Sequence, residues 1–315
     1  MAFADSANGR LVETQTVDRV RLHGFYQQST VIQGQVVAGC EITNEVPREC
    51  WLIVHGVAGN FYNSSLLSAI SANLLNSGAD VVRINTRGRD AIAYFSIGAT
   101  HSRCGAAYEM ICDGITDIAA WVDAIYREGY DSINLIGHSL GAVKSLLYAS
   151  ESGQDTPSGT RSQKLSRLVL LSPPRLQSET LKNDVKYASA YAANLAEAHE
   201  LCNAGKSETL LTIRYPQPMI VSAATYIDKY GPASRYDYHF LLQRNFCPTL
   251  WVFGEHEVRG PRSSFRDADK FLSEAWESFA PKNQYLKIIP GGDHAYTGVR
   301  DLLCQSVIDW TQATV

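Results

Sequence analysis

Ser139 is the residue whose type and setting most directly suggest chemistry. It lies in Ile136-Gly137-His138-Ser139-Leu140-Gly141, a G-x-S-x-G pattern, after the apolar run Ile133 to Ile136 and before Ala142 to Ser150, which reads as helix. The pentapeptide alone arises by chance in about one chain in ten of this length, so its context decides. A strand that reverses sharply into a helix between nearly side-chain-free neighbours would hold the serine in strained geometry with its hydroxyl exposed over the sheet edge. The next amide, Leu140 N–H, would then sit at a helix N-terminus, where negative charge is stabilised. The chemistry so suggested is attack of an activated hydroxyl on an acyl carbon.

Such a reaction needs donors for the oxyanion that forms. The short apolar run Cys50-Trp51-Leu52-Ile53-Val54 ends in His55-Gly56-Val57-Ala58-Gly59-Asn60. A strand that stops in a Gly-containing loop can aim a backbone N–H at developing charge. Val57 N–H is the first choice for that donor and Ala58 N–H the second. A β-to-α turn that uses Gly only for steric reasons is the competing reading.

These residues need a scaffold. Val20 to Phe25 and Val31 to Ile42 suggest an opening antiparallel hairpin after a frayed arm of about 18 residues. Asn63 to Ser77 has helical apolar spacing and Gly78 after it. Asp80 to Asn85 reads as a strand, running into the charged loop Thr86-Arg87-Gly88-Arg89-Asp90. That loop could shape the mouth of a site, but a surface turn held by Arg and Asp ion pairs is favoured. Residues 91 to 108 read as irregular, and Glu109 to Glu128 as an amphipathic helix closed by Gly129. The elbow helix runs to about Ala149, a polar loop covers Glu151 to Lys164, and Leu165 to Leu171 is a buried-type strand. Alternation lapses from about Leu176 to Asn245, where a helix carries Tyr187, Tyr191, Leu195, Ala198 and Leu201 on one face. A break at Tyr215-Pro216-Gln217-Pro218 then precedes a second helix, Met219 to Tyr230. Most of the tyrosines here read as core. Alternation resumes with the strand Cys247 to Phe253, a helix ending near Phe279, the strand Tyr285 to Ile289 and a last helix, Val299 to Thr311. The pattern implies an α/β fold, and the ends of its strands bring His55, Arg87, Ser139 and Pro173 to one edge.

Composition narrows the function classes. A formal charge of −4 in 315 residues, with no run of like charges, gives no surface for a phosphate backbone, so nucleic acid is not expected as a partner. Seven cysteines without a C-x-x-C pair read as reduced thiols in a cytoplasm. No window reaches 18 consecutive apolar residues and Met1 to Asp18 lacks a basic and apolar leader, so neither a membrane span nor secretion is expected. No H-E-x-x-H or clustered His and Cys spacing suggests a metal, and no G-x-G-x-x-G or Walker lysine suggests a nucleotide, so no cofactor is expected.

Taken together, residues 20 to 313 resemble the α/β-hydrolase superfamily. The order of Ser139, an acid after the strand ending at Phe253, and His294 in Pro290-Gly291-Gly292-Asp293-His294-Ala295-Tyr296 matches that family's order of nucleophile, acid and base. The resemblance implies an α/β-hydrolase fold, with a mostly parallel central sheet, helices on both faces and a helical lid insertion. It divides the chain into an arm (1–18), a first part of the core (19–175), a lid or cap (176–245) and a second part of the core (246–315). It makes Ser139 the nucleophile, His294 the base, and Leu140 and Val57 N–H the oxyanion donors. The acid falls on Glu257, where the family more often has Asp, with Glu255 in reserve. His55, His101, His138, His199 and His256 are read as structural. His55 to Tyr62 together with Asn85 to Asp90 also resemble, more distantly, a branch that includes fungal siderophore-esterase-like proteins.

The implied activity is cofactor-independent cleavage of a carboxylic ester, lactone or thioester, with a small acyl molecule as partner. The rival readings are an acyltransferase or cyclase using the same three residues, and a non-catalytic ligand-binding protein on the same scaffold.

Overall fold

The run from Cys50 to Val54 alternates between two cores. Trp51 and Ile53 join one buried cluster, and Cys50, Leu52 and Val54 join the other. A strand covered on both faces has this continuous apolar character. In the computed structural model, which describes residues 9–31, 48–97, 100–151, 165–245, 247–279 and 283–314, that strand lies inside an eight-stranded sheet.

In chain order the elements begin with β1 (Gly9–Gln15), β2 (Arg21–Gln27), β3 (Glu49–Val54), α1 (Ser65–Asn76) and β4 (Asp80–Ile84). A hairpin of β5 (Ala93–Ile97) and β6 (Thr100–Cys104) leads to α2 (Asp113–Arg127), β7 (Ser132–His138), α3 (Leu140–Glu151) and β8 (Arg167–Leu171). The stretch that breaks the alternation holds α4 (Ser178–Lys182), α5 (Ala188–Asn203), β9 (Leu210–Ile213), β10 (Met219–Ser222), α6 (Ala223–Tyr230) and α7 (Tyr238–Leu242). The chain closes with β11 (Thr249–Gly254), α8 (Glu255–Val258), α9 (Ala268–Phe279), β12 (Gln284–Ile289) and α10 (Arg300–Ala313).

The sheet order is β1-β2-β4-β3-β7-β8-β11-β12. Strands β4, β3, β7, β8, β11 and β12 are parallel, and β1 and β2 add an antiparallel edge. Leu66, Leu67, Ile70 and Leu74 of α1 and Leu303 and Val307 of α10 cover one face, while α2, α3 and α9 pack on the other. This is the α/β-hydrolase fold. Parallel strands deliver their C-terminal ends to one edge, which is where Val54, His138, Leu171, Gly254 and Ile289 all stop.

Three segments differ from expectation. Gly9 to Gln15 is an edge strand paired with β2, not part of an arm. Most of its side chains, Leu11 among them, are exposed, so its stability comes from backbone pairing that leaves little apolar pattern to read. The opening hairpin is therefore β1 with β2, and the stretch from 32 to 42 lies outside the described residues. Residues 91–108 contain the β5–β6 hairpin, too short for its alternation to stand out. Met219 to Ser222 pairs as β10 with β9 because Ile220 and Val221 face Thr212 and Leu211 across the ladder. The helix starts only after Ser222, whose side chain caps Thr225 N–H at 3.2 Å.

Helix α6 joins α3 and the stretch before α2 through a buried charge cluster. The Glu109 carboxylate pairs with Lys144 of α3 and, at 3.2 Å, with Lys229 of α6; all three side chains are about 1 % exposed. Lys229 also donates to Ala106 O at 3.0 Å, and Lys144 to Thr86 Oγ1 at 3.2 Å. Burial pushes the Glu109 carboxyl up, but the two ammonium groups outweigh it and hold the carboxyl at about 2. Burial also pulls the Lys229 ammonium below its ordinary range. Glu109→Gln, which leaves two buried cations unneutralised, is expected to lower the unfolding free energy by about 3–5 kcal/mol in urea titrations. The triple variant Glu109→Leu, Lys144→Met, Lys229→Met should recover most of that loss. A Glu109→Gln effect below about 1 kcal/mol would mean that solvent relieves the charges.

Candidate active site

The turn between β7 and α3 is a single residue, Ser139, with φ at +55°. A non-glycine residue rarely adopts this region, and it persists only where the surroundings impose it. They do so here. Ser139 N–H donates to Leu171 O at 2.8 Å, and Ser139 O accepts from Ala142 N–H at 2.9 Å. A Cβ on Gly141 would stand 2.4 Å from His55 O, so the helix can approach the His-Gly loop only as glycine. A Cβ on Gly56 would meet Ser139 Cβ at 3.1 Å, so that loop lies directly against the serine.

From Ser139 a chain of polar contacts runs inward. Its Oγ lies 3.0 Å from His294 Nε2, and His294 Nδ1 lies 2.6 Å from Glu257 Oε1. An ionised carboxylate can only accept, so Nδ1 carries the imidazole proton and the Nε2 lone pair faces the serine hydroxyl. The other carboxylate oxygen, Oε2, accepts from Ser172 Oγ at 2.6 Å and from Gly254 N–H at 2.9 Å. Tyr296 OH, 2.8 Å from Ser172 Oγ, extends the chain to Val252 O. Burial pushes the Tyr296 phenol well above its ordinary range, keeping it neutral beside the carboxylate. Glu255 points elsewhere and accepts the Gly291 amide at 2.9 Å. Glu257 is thus the carboxylate that reaches His294.

Val57 and Leu140 line one cavity with Ser139 and His294. Leu140 opens α3, where the first N–H groups have no partner within the helix. Val57 is oriented by its neighbour. Thr86 N–H donates to His55 Nε2 at 3.2 Å, so His55 carries its proton on Nδ1 and donates to Gly56 O at 2.8 Å. Gly56 C=O and Val57 N–H belong to one planar peptide, so this bond sets the direction of the Val57 N–H. Burial, reinforced by Lys144, holds His55 neutral with its pKa lowered to about 4. His138, beside the serine, turns away and donates from Nε2 to His294 O at 2.8 Å; burial and then His294 lower it to about 4 as well. Phe265 packs on the His294 ring at 5.0 Å.

The charged turn 86–90 is ion-paired, as expected, but it is not a surface feature. Arg87 is 11 % exposed and pairs with Asp117 and Asp18 at 2.8 Å each, which turns it away from the cavity. Ser172 and Tyr296, which hold Glu257, were not foreseen, nor was the path from Lys144 through Thr86 to His55. Only the position of Ser172 after a strand end, and of Tyr296 two residues beyond His294, could have pointed to them. Among the described residues, no three His, Cys, Asp or Glu side chains gather as a cation site, and no helix is long and apolar enough to cross a membrane.

A family model described as the alpha/beta hydrolase fold matches residues 52–214, just over half of the chain and including Ser139. The chain belongs to the α/β-hydrolase family. Among solved structures, it is similar to the siderophore hydrolase EstB from Aspergillus fumigatus, with a TM-score of 0.67 and 15% identity over 93% of this chain and 95% of that one. It is also similar to Est1E from Butyrivibrio proteoclasticus with bound ferulic acid (TM-score 0.61, 16% identity, 96% and 99% covered). A third is a thermostable carboxyl esterase from Bacillus coagulans in complex with glycerol (TM-score 0.64, 11% identity, 98% and 99% covered). At these identities the likeness is one of fold. No curated protein matches the sequence.

The two neutral histidines have a measurable consequence. Each titrates at 6.5 when unfolded but near 4 when folded, so between those values the unfolded chain binds more protons. Stability should therefore fall as pH drops from 6.5 toward 4, by roughly 2 kcal/mol for each histidine between pH 7 and pH 5. Urea unfolding of wild type and His138→Gln at several pH values checks this: the variant should show the shallower dependence, and equal slopes would contradict the assignment.

Proposed function

We propose that the protein is a serine hydrolase that cleaves a carboxylic ester, lactone or thioester through an acyl-enzyme on Ser139. The observation that carries the reading is the unbroken contact path from Glu257 Oε1 through His294 to Ser139 Oγ, in steps of 2.6 and 3.0 Å, at a cavity of about 1010 Å³. A cavity of this size accommodates a substantial acyl molecule. The hydrolase and esterase names carried by proteins of similar fold support the same reading.

In this mechanism His294 Nε2 takes the hydroxyl proton as Ser139 Oγ attacks the carbonyl carbon. Glu257 stabilises the imidazolium and remains ionised. The Val57 and Leu140 N–H groups receive the oxyanion, and the His55 bond to Gly56 O fixes one of those donors before substrate arrives, so no reorganisation is needed as charge develops. His294 then protonates the leaving alcohol or thiol, and a water activated by the same nitrogen releases the acid. The cap, residues 176–245, covers the cavity and limits the water that reaches the acyl-enzyme. An acceptor alcohol or amine in place of water would turn the same intermediate to acyl transfer.

The test is hydrolysis of p-nitrophenyl esters from acetyl to dodecanoyl by wild type and variants. Ser139→Ala and His294→Ala are expected to lower kcat by about 10⁴–10⁶, and Glu257→Gln by about 10⁴. His55→Ala should reduce kcat by up to about 10² with little change in KM, as expected for a misdirected oxyanion donor. Product analysis with added alcohol distinguishes free acid from transferred acyl. Equal turnover by wild type and Ser139→Ala would refute the serine mechanism. Failure of a fluorophosphonate probe to label folded wild type at Ser139 would favour a non-catalytic binder.

A further inference from the structure

The cavity holding Ser139 and His294 has a charge pattern that ester cleavage alone does not use. The whole chain is net −4, yet Lys186, Arg214, Arg262 and Arg266 line this cavity against two carboxylates, Glu179 and Asp184. Both carboxylates are already engaged. Glu179 pairs with Lys182 at 3.6 Å, and Asp184 Oδ1 accepts the amides of Lys186 and Tyr187 at 3.0 Å each. Arg266 is tied back to Gly260 O and Pro261 O, and Lys186 sits over the Tyr187 ring at 4.9 Å. Among the described residues, the guanidinium groups of Arg214 and Arg262 have no partner.

Their placement is specific. Tyr215 OH and Ser263 Oγ, 2.7 Å apart, join the cap to the core loop 261–266. Arg214 precedes the first of these residues and Arg262 the second, so the two arginines flank one seam on the cavity wall. Phe265 N–H donates to Arg262 O at 3.0 Å while its ring packs on His294, so the turn that carries Arg262 also touches the proposed base. Stacked rings of Tyr187 and Tyr215, 4.9 Å apart and 19° from parallel, give the same wall an aromatic surface. Four cationic side chains against two carboxylates give the cavity wall a positive excess that raises the local concentration of anions there, and guanidinium geometry suits paired oxygens.

We propose that the substrate carries an anionic oxygen group, a carboxylate or a phosphate, remote from the scissile carbonyl, and that Arg214 and Arg262 receive it. The aromatic wall holds the chain between the two ends. This deepens the hydrolase reading and rests on it.

The test compares matched pairs: p-nitrophenyl hexanoate with the mono-p-nitrophenyl ester of adipic acid, and hexanoyl N-acetylcysteamine with hexanoyl-CoA. At low ionic strength, wild type should favour the anionic member of at least one pair by tenfold or more in kcat/KM. The adipate pair reports a carboxylate on the acyl side, and the thioester pair a phosphate on the leaving side. Arg214→Gln with Arg262→Gln should reduce the preference to within about twofold while the neutral esters keep their wild-type rates. Half a molar salt should narrow it in wild type. Binding of the uncleaved adipate half-ester and of hexanoyl-CoA to Ser139→Ala, by calorimetry, gives a readout independent of turnover. Here the charged ligand should bind at least tenfold more tightly than its neutral partner. Turnover of neutral and anionic esters at equal rates, or a preference that survives the double substitution, would overturn the proposal and leave the hydrolase reading intact. Absence of turnover on every ester and thioester would instead overturn the hydrolase reading, and this inference with it.

Discussion

Everything at the site depends on how closely three backbone segments approach around Ser139. The end of β7, the start of α3 and the loop after β3 come so near that a methyl group on Gly141 would strike His55 O at 2.4 Å. That crowding holds a non-glycine residue at φ +55°, a conformation the free chain would leave. The cost of this strain is offset by the cores behind it, since Leu52, Val54, Leu135 and Ile136 are all fully buried. The same crowding places Val57 and Leu140 beside the serine, so the strained residue and the donors proposed for its oxyanion follow from one packing arrangement.

The second constraint is charge kept away from water. Glu109 with Lys144 and Lys229 leaves a formal excess of one positive charge in the interior, where α3, the loop before α2 and α6 meet. Lys144 reaches Thr86, and Thr86 N–H fixes the tautomer of His55. A neutral His55 orients the Gly56–Val57 peptide through its bond to Gly56 O without adding a charge there. Helix α6 is thereby connected, through Glu109, Lys144, Thr86 and His55, to the Gly56–Val57 peptide.

How much of this could be read from the sequence depended on what stabilises each piece. Strands β3, β7, β8 and β11 are buried on both faces, so their apolar runs are continuous and the residues at their ends could be located. Strand β1 is exposed and held by ladder hydrogen bonds, which any sequence can make, and it read as an arm. Ser139 and His294 carry their signal in local neighbours. Glu257 carries less: its place three residues past Gly254 puts it ahead of Glu255, and it is α8 that sends one to His294 and the other to Gly291. Ser172 and Tyr296 converge on Glu257 across 85 and 39 residues of sequence, a relation that exists only after folding.

The stretch from α4 to α7 is held differently at two places. At α6, Asp228 accepts Ile111 N–H at 2.8 Å and the Tyr236 hydroxyl at 2.8 Å, beside the buried Lys229 pair. At the cavity, the same segment meets the core loop through the Tyr215 to Ser263 hydrogen bond, with the exposed Arg214 and Arg262 next to it in sequence. Breaking the first set would strand buried charges, whereas parting the second exposes groups that water can solvate.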